Sequence, residues 1–404
     1  MRRSKRSAIW AAAAATVAVG ALLATTTTSP AVGSSTKGDH IGTPKFEDQP
    51  SSTGVVSKNA ITIPSWTSSF TDPTNGKTYH YTMVGTDPTK GDVSTTVPTV
   101  IIPMNFNFKS TGTSLNGSDK VDATVASPVF QNADIGAAAD NSASAPPGPP
   151  VSDAGRTVNE PNDTTQLGDA IYRAQFGKSG SAYHVLLGQP TVQPAATFDV
   201  PKNQGFTFEG SSSHATIGLM SASWFSSKLK GLITSRHISP KVLPIFLVND
   251  TFLYIGTADN CCILGYHGAT SSLNGNGKQQ VNTYMFASYS VQGVFSPNDG
   301  DTESYIADIH GLSHEVQEWY DDPFVNNAVN PWLTPTAPQY GCTTALETGD
   351  PVVGYGFKIP MSNEITYHPE DEVHFSWFAR QDPSIAEQGY FTYLNNFADV
   401  AGGC

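Results

Sequence analysis

Residues 301–323 read Asp-Thr-Glu-Ser-Tyr-Ile-Ala-Asp-Ile-His-Gly-Leu-Ser-His-Glu-Val-Gln-Glu-Trp-Tyr-Asp-Asp-Pro. Asp301 or Thr302 can cap a helix, acidic residues follow in the first turn, and Pro323 stops it. Apolar side chains recur between them at helical spacing and form one face: Tyr305, Ile309, Leu312, Val316 and Trp319. The pattern predicts an amphipathic helix that begins near Asp301 and ends before Pro323.

Polar side chains follow a stripe beside that apolar face. His310, His314 and Glu318 stand at i, i+4 and i+8, and Glu315 lies about 100° around the axis from His314. Two ligands one turn apart can hold one metal ion, and the neighbouring carboxylate can take a proton from water at the open position. His310 and Glu318 stand about 12 Å apart along the axis, so His310 is expected to be an alternative or outer ligand.

The segment His314-Glu315-Val-Gln-Glu318 differs in one position from the His-Glu-x-x-His sequence of zinc metallopeptidases. Glutamate replaces the second histidine. A carboxylate oxygen still suits Zn²⁺ at about 2.0–2.2 Å, but its charge weakens selectivity against Mn²⁺ or Ca²⁺. Zn²⁺ is therefore the expected cofactor, with Ca²⁺ or Mn²⁺ as alternatives.

These residues resemble those of known secreted families. The predicted strands followed by the His-Glu-x-x-Glu helix resemble the catalytic half of zincin-like metallopeptidases. More narrowly, residues 314–327 followed by Glu347-Thr-Gly-Asp350 are similar to the exordium-type (phosphate-induced protein) family and to uncharacterised bacterial secreted proteins. The plant family usually continues from its Asp with Leu-Cys, whereas Pro351-Val352 follows here. The resemblance covers roughly 60–100 residues and implies a zincin-like fold for the C-terminal part.

A third metal ligand has to come from another segment. Asp350 is favoured because it lies in a glycine-bounded loop that can fold back under the helix, and Glu347 is the second choice. The full set of candidates is Asp350, Glu347, His310, His368 and His374.

Two further residues precede the helix in a predicted strand. Tyr266 and His267 lie in Leu-Gly-Tyr-His-Gly-Ala, where a substrate-binding edge strand is expected. Either side chain could stabilise an oxyanion, although a histidine at a strand end near glycines is commonly structural.

Composition limits the possible partners of the chain. Its 404 residues carry 35 acidic and 22 basic side chains, a net charge of −13. Such a chain repels phosphate backbones, so nucleic acid is excluded as an expected partner. Residues 1–31 combine a basic start, an uncharged run over 8–24 and small residues, the layout of a secretory signal peptide. We expect a secreted, extracellular protein with no membrane association after signal removal.

Four cysteines suit an oxidising compartment: Cys261, Cys262, Cys342 and Cys404. A bridge between the adjacent pair would be strained, so Cys342 and Cys404 are expected to pair with Cys261 and Cys262 in some order. A cysteine-rich metal site is the alternative, which neither the spacing nor nearby histidines support.

The fold class predicted is α+β, with a β-rich N-terminal module and a zincin-like α/β C-terminal domain built on a mixed sheet and the active-site helix. Residues 97–108 alternate apolar and polar side chains around two prolines, which predicts an edge strand. The predicted parts are a signal peptide (1–31), a tether (32–60), a β-rich module (61–135), a Pro/Ala/Ser-rich linker (136–163) and the zincin-like domain (164–404).

The expected function is a secreted metal-dependent hydrolase, most simply a zinc peptidase acting on a peptide or protein substrate. Glu315 would be the general base, and His314, Glu318 and Asp350 would bind the metal. The alternative is a non-catalytic extracellular protein that binds glycans or matrix, in which a degenerate zincin-like helix is structural or holds Ca²⁺.

Overall fold

The structure is a computed structural model that describes residues 45–46, 56–135, 164–210, 213–295, 306–383 and 390–404. The predicted signal peptide (1–31) and linker (136–163) lie outside these ranges, as does most of the predicted tether (32–60).

The described chain contains 21 short or medium strands and five α-helices. The first strands and helices are β1 (Ser65–Thr71), β2 (Thr78–Val84), β3 (Ser94–Val97), β4 (Thr99–Phe108), β5 (Thr113–Asn116), α1 (Val121–Val125), β6 (Ala133–Asp134), β7 (Thr164–Thr165), α2 (Leu167–Gln175), β8 (His184–Leu187), β9 (Thr191–Val192), β10 (Ala196–Val200), β11 (Gly205–Glu209), β12 (Thr216–Ser221) and α3 (Ala222–Ser235). The remainder are β13 (Leu243–Asn249), β14 (Thr251–Tyr254), β15 (Cys261–Ile263), β16 (Gly265–Leu273), β17 (Gln279–Tyr289), α4 (His310–Asp321), β18 (Ala328–Trp332), β19 (Thr343–Ala345), β20 (Ile359–Pro360), β21 (Thr366–Tyr367) and α5 (Phe375–Ala379).

The largest sheet is mixed and has the strand order β10-β4-β13-β17-β16, with β5 and β9 also pairing with β4. Strands β4, β13 and β17 run parallel to one another. Strand β16 runs antiparallel to β17 at the end of this order. The fold is therefore α+β with a mixed sheet.

The pairing of strand β4 shows that two predictions are wrong, the edge strand at 97–108 and the separate module at 61–135. Strand β4 is an interior strand, since its first half pairs with β13 and β9 and its second half with β10 and β5. Pro103 stands where the strand passes from one pair of partners to the other, so proline is tolerated there. Because β4 pairs with strands from residues 191–249, residues 61–135 do not form a separate module.

Alternating side chains of the sheet supply two cores. Along β13, Ile245 and Leu247 enter one apolar cluster, while Phe246 and Val248 enter the other. Helix α4 packs into the first cluster through residues such as Val316, and α3 packs into the second. The sheet thus lies between two helical layers, because successive residues of a strand point to opposite faces.

Helix α4 begins nine residues later than predicted, at His310 rather than near Asp301. Residues 301–305 lie outside the described ranges. Asp308 has φ of 40° and forms an antiparallel bridge with Ser290, which holds the chain out of helical geometry. The Asp308 carboxylate then accepts the Ile309 N–H at 2.6 Å, next to the first helical residue.

The disulfide pairing also differs from the prediction. Cys342 bonds to Cys404, with Cα atoms 6.0 Å apart, and Cys261 bonds to Cys262. Cys261 and Cys262 lie in β15 at the edge of a second sheet with the order β11-β12-β14-β15. The C-terminal residue is thereby joined to the loop before β19, and the cysteines do not form a metal site.

Among the residues that the structure describes, no helix is both long and apolar enough to cross a bilayer.

Candidate metal centre

Helix α4 brings His314, Glu315 and Glu318 into the interior of the protein. The relative exposures of these side chains are 0%, 0% and 3%. The helix is covered on its apolar side by β16 and β17 and elsewhere by α2 and the loops that follow it. Burial of three titratable groups on one helical turn is costly unless they are paired or bind an ion.

His314 is oriented like a metal ligand. Its Nδ1 lies 3.2 Å from Glu370 Oε2, the geometry of an N–H donated to a carboxylate. Its Nε2 faces Glu318 Oε1 at 3.0 Å and Asp350 Oδ1 at 3.8 Å. Metal-binding histidines typically have one ring nitrogen fixed in this way by an acceptor, which directs the lone pair of the other to the ion.

The loop that carries Asp350 folds back against the helix, as predicted from its glycines. The amide groups of Gly349 and Asp350 donate to Glu318 Oε1 at 3.2 and 3.3 Å. A Cβ atom at Gly349 would collide with the His314 ring, so this position requires glycine. Ligand atoms of His314, Glu318 and Asp350 all lie within 4.8 Å of one another.

His267 reaches the same cluster from β16. Its Nδ1 lies 3.2 Å from Glu315 Oε2 and 3.7 Å from Glu318 Oε2, and its Nε2 donates to the Asp322 carbonyl at 3.0 Å. Glu347 Oε2 lies 4.0 Å from Nδ1. His267, Glu318 and Glu347 therefore form a second group whose ligand atoms lie within 4.8 Å of one another, with Glu318 shared between the two groups.

Tyr266 does not belong to this cluster. It packs in the second apolar cluster on the other face of the sheet, and its hydroxyl lies 2.8 Å from Ser226 Oγ. Adjacent residues of a strand point to opposite faces, so His267 and Tyr266 cannot both face α4. The predicted oxyanion role of Tyr266 is wrong.

Glu370 and Glu372 are members of the cluster that the sequence analysis did not identify. Both are 0% exposed. Glu370 Oε2 lies 3.2 Å from His314 Nδ1 and 2.8 Å from His310 Nε2, which gives His310 the outer position expected of it. The sequence did carry a signal for these two residues. It is the run of three consecutive acids, Glu370-Asp371-Glu372, in a region otherwise poor in charge.

The remaining histidine candidates are used elsewhere. His368 is paired with Asp308, through Nδ1 at 2.7 Å and its backbone N–H at 2.9 Å. His374 is buried and its ring contacts that of Tyr393. Burial lowers the pKa of His374 to about 3. Neither residue belongs to the two ligand groups.

Burial and neighbouring charges shift the pKa values of Glu315, Glu318 and His314 on α4. Burial raises the pKa of Glu315 to about 7, although the His267 hydrogen bond acts against this shift. Burial alone would raise the pKa of Glu318, but His314 and His267 lower it. For His314, burial acts downward, and the carboxylates of Glu318 and Glu370 raise the pKa well above its ordinary value.

The pKa values of two neighbouring groups, His267 and Glu372, are shifted as well. Burial would lower the pKa of His267, but its hydrogen bond to Glu315 and the surrounding carboxylates raise it to about 9. Burial and the negative charge of Glu370 raise the pKa of Glu372 well above its usual range. No lysine or arginine of the described chain pairs with Glu315, Glu318, Glu370 or Glu372. Among the described residues, the positive charge beside Glu315 and Glu318 comes from the imidazoles of His267 and His314.

Comparison with known protein families, with curated proteins and with solved structures gives no match for this chain.

Proposed function

We propose that the protein is a secreted metal-dependent hydrolase, a zinc peptidase with a zincin-like C-terminal fold. The observation that carries the proposal is His314, whose Nδ1 is held by Glu370 while its Nε2 faces Glu318 and Asp350. Once a metal ion displaces the proton on Nε2, this arrangement would direct one imidazole lone pair and two carboxylates to a common point.

The residues present fit a divalent cation. One imidazole and two carboxylates are accepted by Zn²⁺ and leave a fourth position open, and an ion would add positive charge to a buried site in which carboxylates outnumber imidazoles. Zn²⁺ bound to His314, Glu318 and Asp350 would act as a Lewis acid that polarises a scissile carbonyl and acidifies water. Ca²⁺ and Mn²⁺ remain the alternatives to be tested.

Glu315 is assigned the role of general base. His267 holds its Oε2 at 3.2 Å, and its Oε1 is buried without a hydrogen-bond partner. A buried oxygen without a partner is available to take a proton from water. A pKa of about 7 suits this role, because a base is most effective when its pKa lies near the working pH. His267 is thus a positioning residue rather than an oxyanion stabiliser.

The test combines metal analysis with a paired substitution. Purified full-length protein should contain stoichiometric zinc, and His314→Ala should lose it. Glu315→Gln should keep the zinc and lower casein hydrolysis by about 10²–10⁴-fold, the usual contribution of a general base. Glu364→Gln, the same change at an exposed acid, is the matched control and should leave both unchanged.

The other outcomes separate the alternatives. Absence of bound metal after reconstitution with Zn²⁺, Mn²⁺ or Ca²⁺ would overturn the metal site and the hydrolase together. Bound metal without hydrolysis, in both the wild type and the Phe46→Ala variant described below, would overturn the catalytic claim. The latter result would favour the non-catalytic binding protein. The aromatic residues near the C-terminus do not by themselves favour glycan binding, since Trp377, Phe378 and Phe391 are buried in the core.

A further inference from the structure

The candidate metal centre is closed to solvent, although a hydrolase must admit its substrate. His314 and Glu315 are 0% exposed. Part of the covering comes from two residues far away in the sequence, Lys45 and Phe46, which belong to the segment predicted to be a tether. They are held by specific contacts, so the tether prediction is wrong for these two residues.

The backbone of Lys45 extends a sheet. Its N–H donates to the Cys262 carbonyl at 3.0 Å, and its carbonyl accepts the Leu264 N–H at 3.1 Å. These bonds form a parallel bridge with Ile263. Strand β15 is the edge of its four-stranded sheet, so Lys45 is bound by β-strand addition, a common mode of peptide recognition.

The side chain of Phe46 covers a proposed metal ligand. Its ring stacks on the His314 ring with centroids 3.4 Å apart and an interplanar angle of 16°. Phe46 is only 2% exposed, and its ring packs against the first turn of α4 at Gly311. An aromatic side chain thus fills the space directly over His314.

Tyr340 connects this segment to the metal centre. Its hydroxyl accepts the Phe46 N–H at 2.9 Å, and it also hydrogen-bonds with Asp350. One residue therefore fixes the backbone next to the aromatic side chain and contacts a proposed metal ligand. Backbone pairing, an aromatic position and a hydroxyl anchor together have the features of a peptide-binding site.

We infer that the edge at Cys262–Leu264, together with Tyr340 and the His314 face, binds an extended peptide with an aromatic side chain. Lys45–Phe46 occupies this site as an intramolecular ligand and keeps the metal centre latent. The inference rests on the proposed function, because the site that Lys45–Phe46 occupies is the one proposed to bind substrate. Peptide substrates are then expected to place an aromatic residue over His314.

An intramolecular ligand has a predictable effect on competitors. A tethered segment acts at an effective concentration on the order of millimolar, so an added peptide competes poorly in the wild type. Removing the aromatic side chain weakens the internal ligand and exposes the site. Peptide binding and access to the metal centre should therefore increase together.

The experiment compares Phe46→Ala with Phe252→Ala in the full-length protein. Phe252 is fully buried in the same apolar cluster as Phe46, so its truncation controls for loss of core packing. The probe is an acetylated, amidated hexapeptide with the sequence of residues 43–48, Thr-Pro-Lys-Phe-Glu-Asp, and its counterpart with alanine for phenylalanine. Binding is measured by isothermal titration calorimetry, and zinc uptake by stopped flow with a chromophoric chelator.

The expected result is specific to Phe46. Phe46→Ala should bind the hexapeptide at least tenfold more tightly than the wild type or Phe252→Ala does, and at least tenfold more tightly than it binds the alanine peptide. It should also take up zinc faster and hydrolyse casein at least tenfold faster, with the hexapeptide acting as a competitor.

Two results would overturn the inference. Equal effects of Phe46→Ala and Phe252→Ala would show that Phe46 is ordinary core packing. Equal affinity for the two peptides would show that no aromatic position exists. Peptide binding needs neither metal nor turnover, so failure of the proposed function, with no zinc and no hydrolysis, is distinguishable from failure of this inference.

Discussion

Two regions of the molecule bury carboxylates, and the groups that surround those carboxylates differ between the two. Asp169 in α2 is 0% exposed, yet its carboxylate accepts hydrogen bonds from Thr165 Oγ1 at 2.7 Å and from the Val185 N–H at 2.7 Å. His184 Nδ1 lies 2.7 Å away, and Arg173 Nη1 lies 3.7 Å away. Within the described ranges, by contrast, no arginine or lysine pairs with Glu315, Glu318, Glu370 or Glu372 in the carboxylate cluster beside α4.

The two regions differ in whether their buried carboxylates already have hydrogen-bond donors and a cation as partners. A buried acid with a full set of donors and a cation is stable as it stands. Glu315 Oε1 and both oxygens of Glu372 are instead buried without hydrogen bonds, which is costly for a buried polar group and raises the pKa of both carboxyls. The first region needs no ligand, whereas a cation bound as proposed would supply partners to the second. Each prediction below changes one side of this comparison.

The largest effect is expected at the self-contained network. Asp169→Ala removes the carboxylate from Arg173, His184 and Thr165, and breaking a buried pair in this way costs about 3–5 kcal/mol. Chemical denaturation should show this loss, with zinc stoichiometry unchanged in the protein that remains folded. A loss of less than about 1 kcal/mol would mean that the network is not structural.

A comparable stabilisation is expected when zinc binds the cluster beside α4. Zinc at 1,000 times its Kd should raise the free energy of unfolding by about 4 kcal/mol, measured by thermal unfolding with zinc or with a chelator. His314→Ala should remove this response, while His184→Ala, a histidine in the other network, should retain it. An equal zinc response in both variants would place the metal elsewhere.

A third buried acid, Asp250, tests the cost of burying a carboxylate that forms no salt bridge with another described residue. Burial raises the pKa of Asp250 to about 6, so the folded protein binds the extra proton and loses stability as pH rises from about 4 to about 6. Asp250→Asn should therefore stabilise the protein above pH 6 by no more than about 3 kcal/mol. Its carboxylate accepts the Val291 N–H at 2.6 Å, a bond that the asparagine oxygen can keep.

The pH dependence of that variant is the control. The stability difference should vanish near pH 3, where the wild-type carboxyl is largely protonated in both states. A difference that stays constant between pH 4 and 7, measured by denaturant titration, would show that charge is not its cause.

The smallest effect is expected at Glu370, which contacts His314 and is not one of the proposed metal ligands. Glu370→Gln keeps an acceptor for His314 Nδ1 but removes the charge, and changes to such orienting groups weaken metal affinity by about 10–100-fold. Competition with a chelator of known affinity measures this change. Unchanged affinity would mean that Glu370 does not orient the ring, and Glu364→Gln is again the control.

Local patterns in the sequence were enough to predict that the helix exists and to name most of its ligand candidates, although they placed its start nine residues too early. The i, i+4 spacing placed His314 and Glu318 one turn apart, and the glycine-bounded loop brought Asp350 to them. The prediction that Asp350, rather than His368, joins this pair agrees with the distances. Its role as a metal ligand remains a prediction.

Contacts between distant segments could not be read from the sequence in the same way. The edge-strand prediction for 97–108 failed because prolines are tolerated in an interior strand where its partners change. Tyr266 and His267 were grouped because they are adjacent, although a strand sends them to opposite faces. Glu370 and Phe46 reach His314 across 56 and 268 residues (370 − 314 and 314 − 46), and no local pattern announces such contacts.

The sequence by itself determined the spacing of groups on one helix, the acidic charge balance and the glycines that let a loop return. These depend on helical periodicity and on backbone freedom, which are local properties. Tertiary structure decided which carboxylates surround His314, which strand supplies His267 and which aromatic ring covers the centre. Those contacts depend on how distant segments pack, because burial and strand pairing are properties of the whole chain.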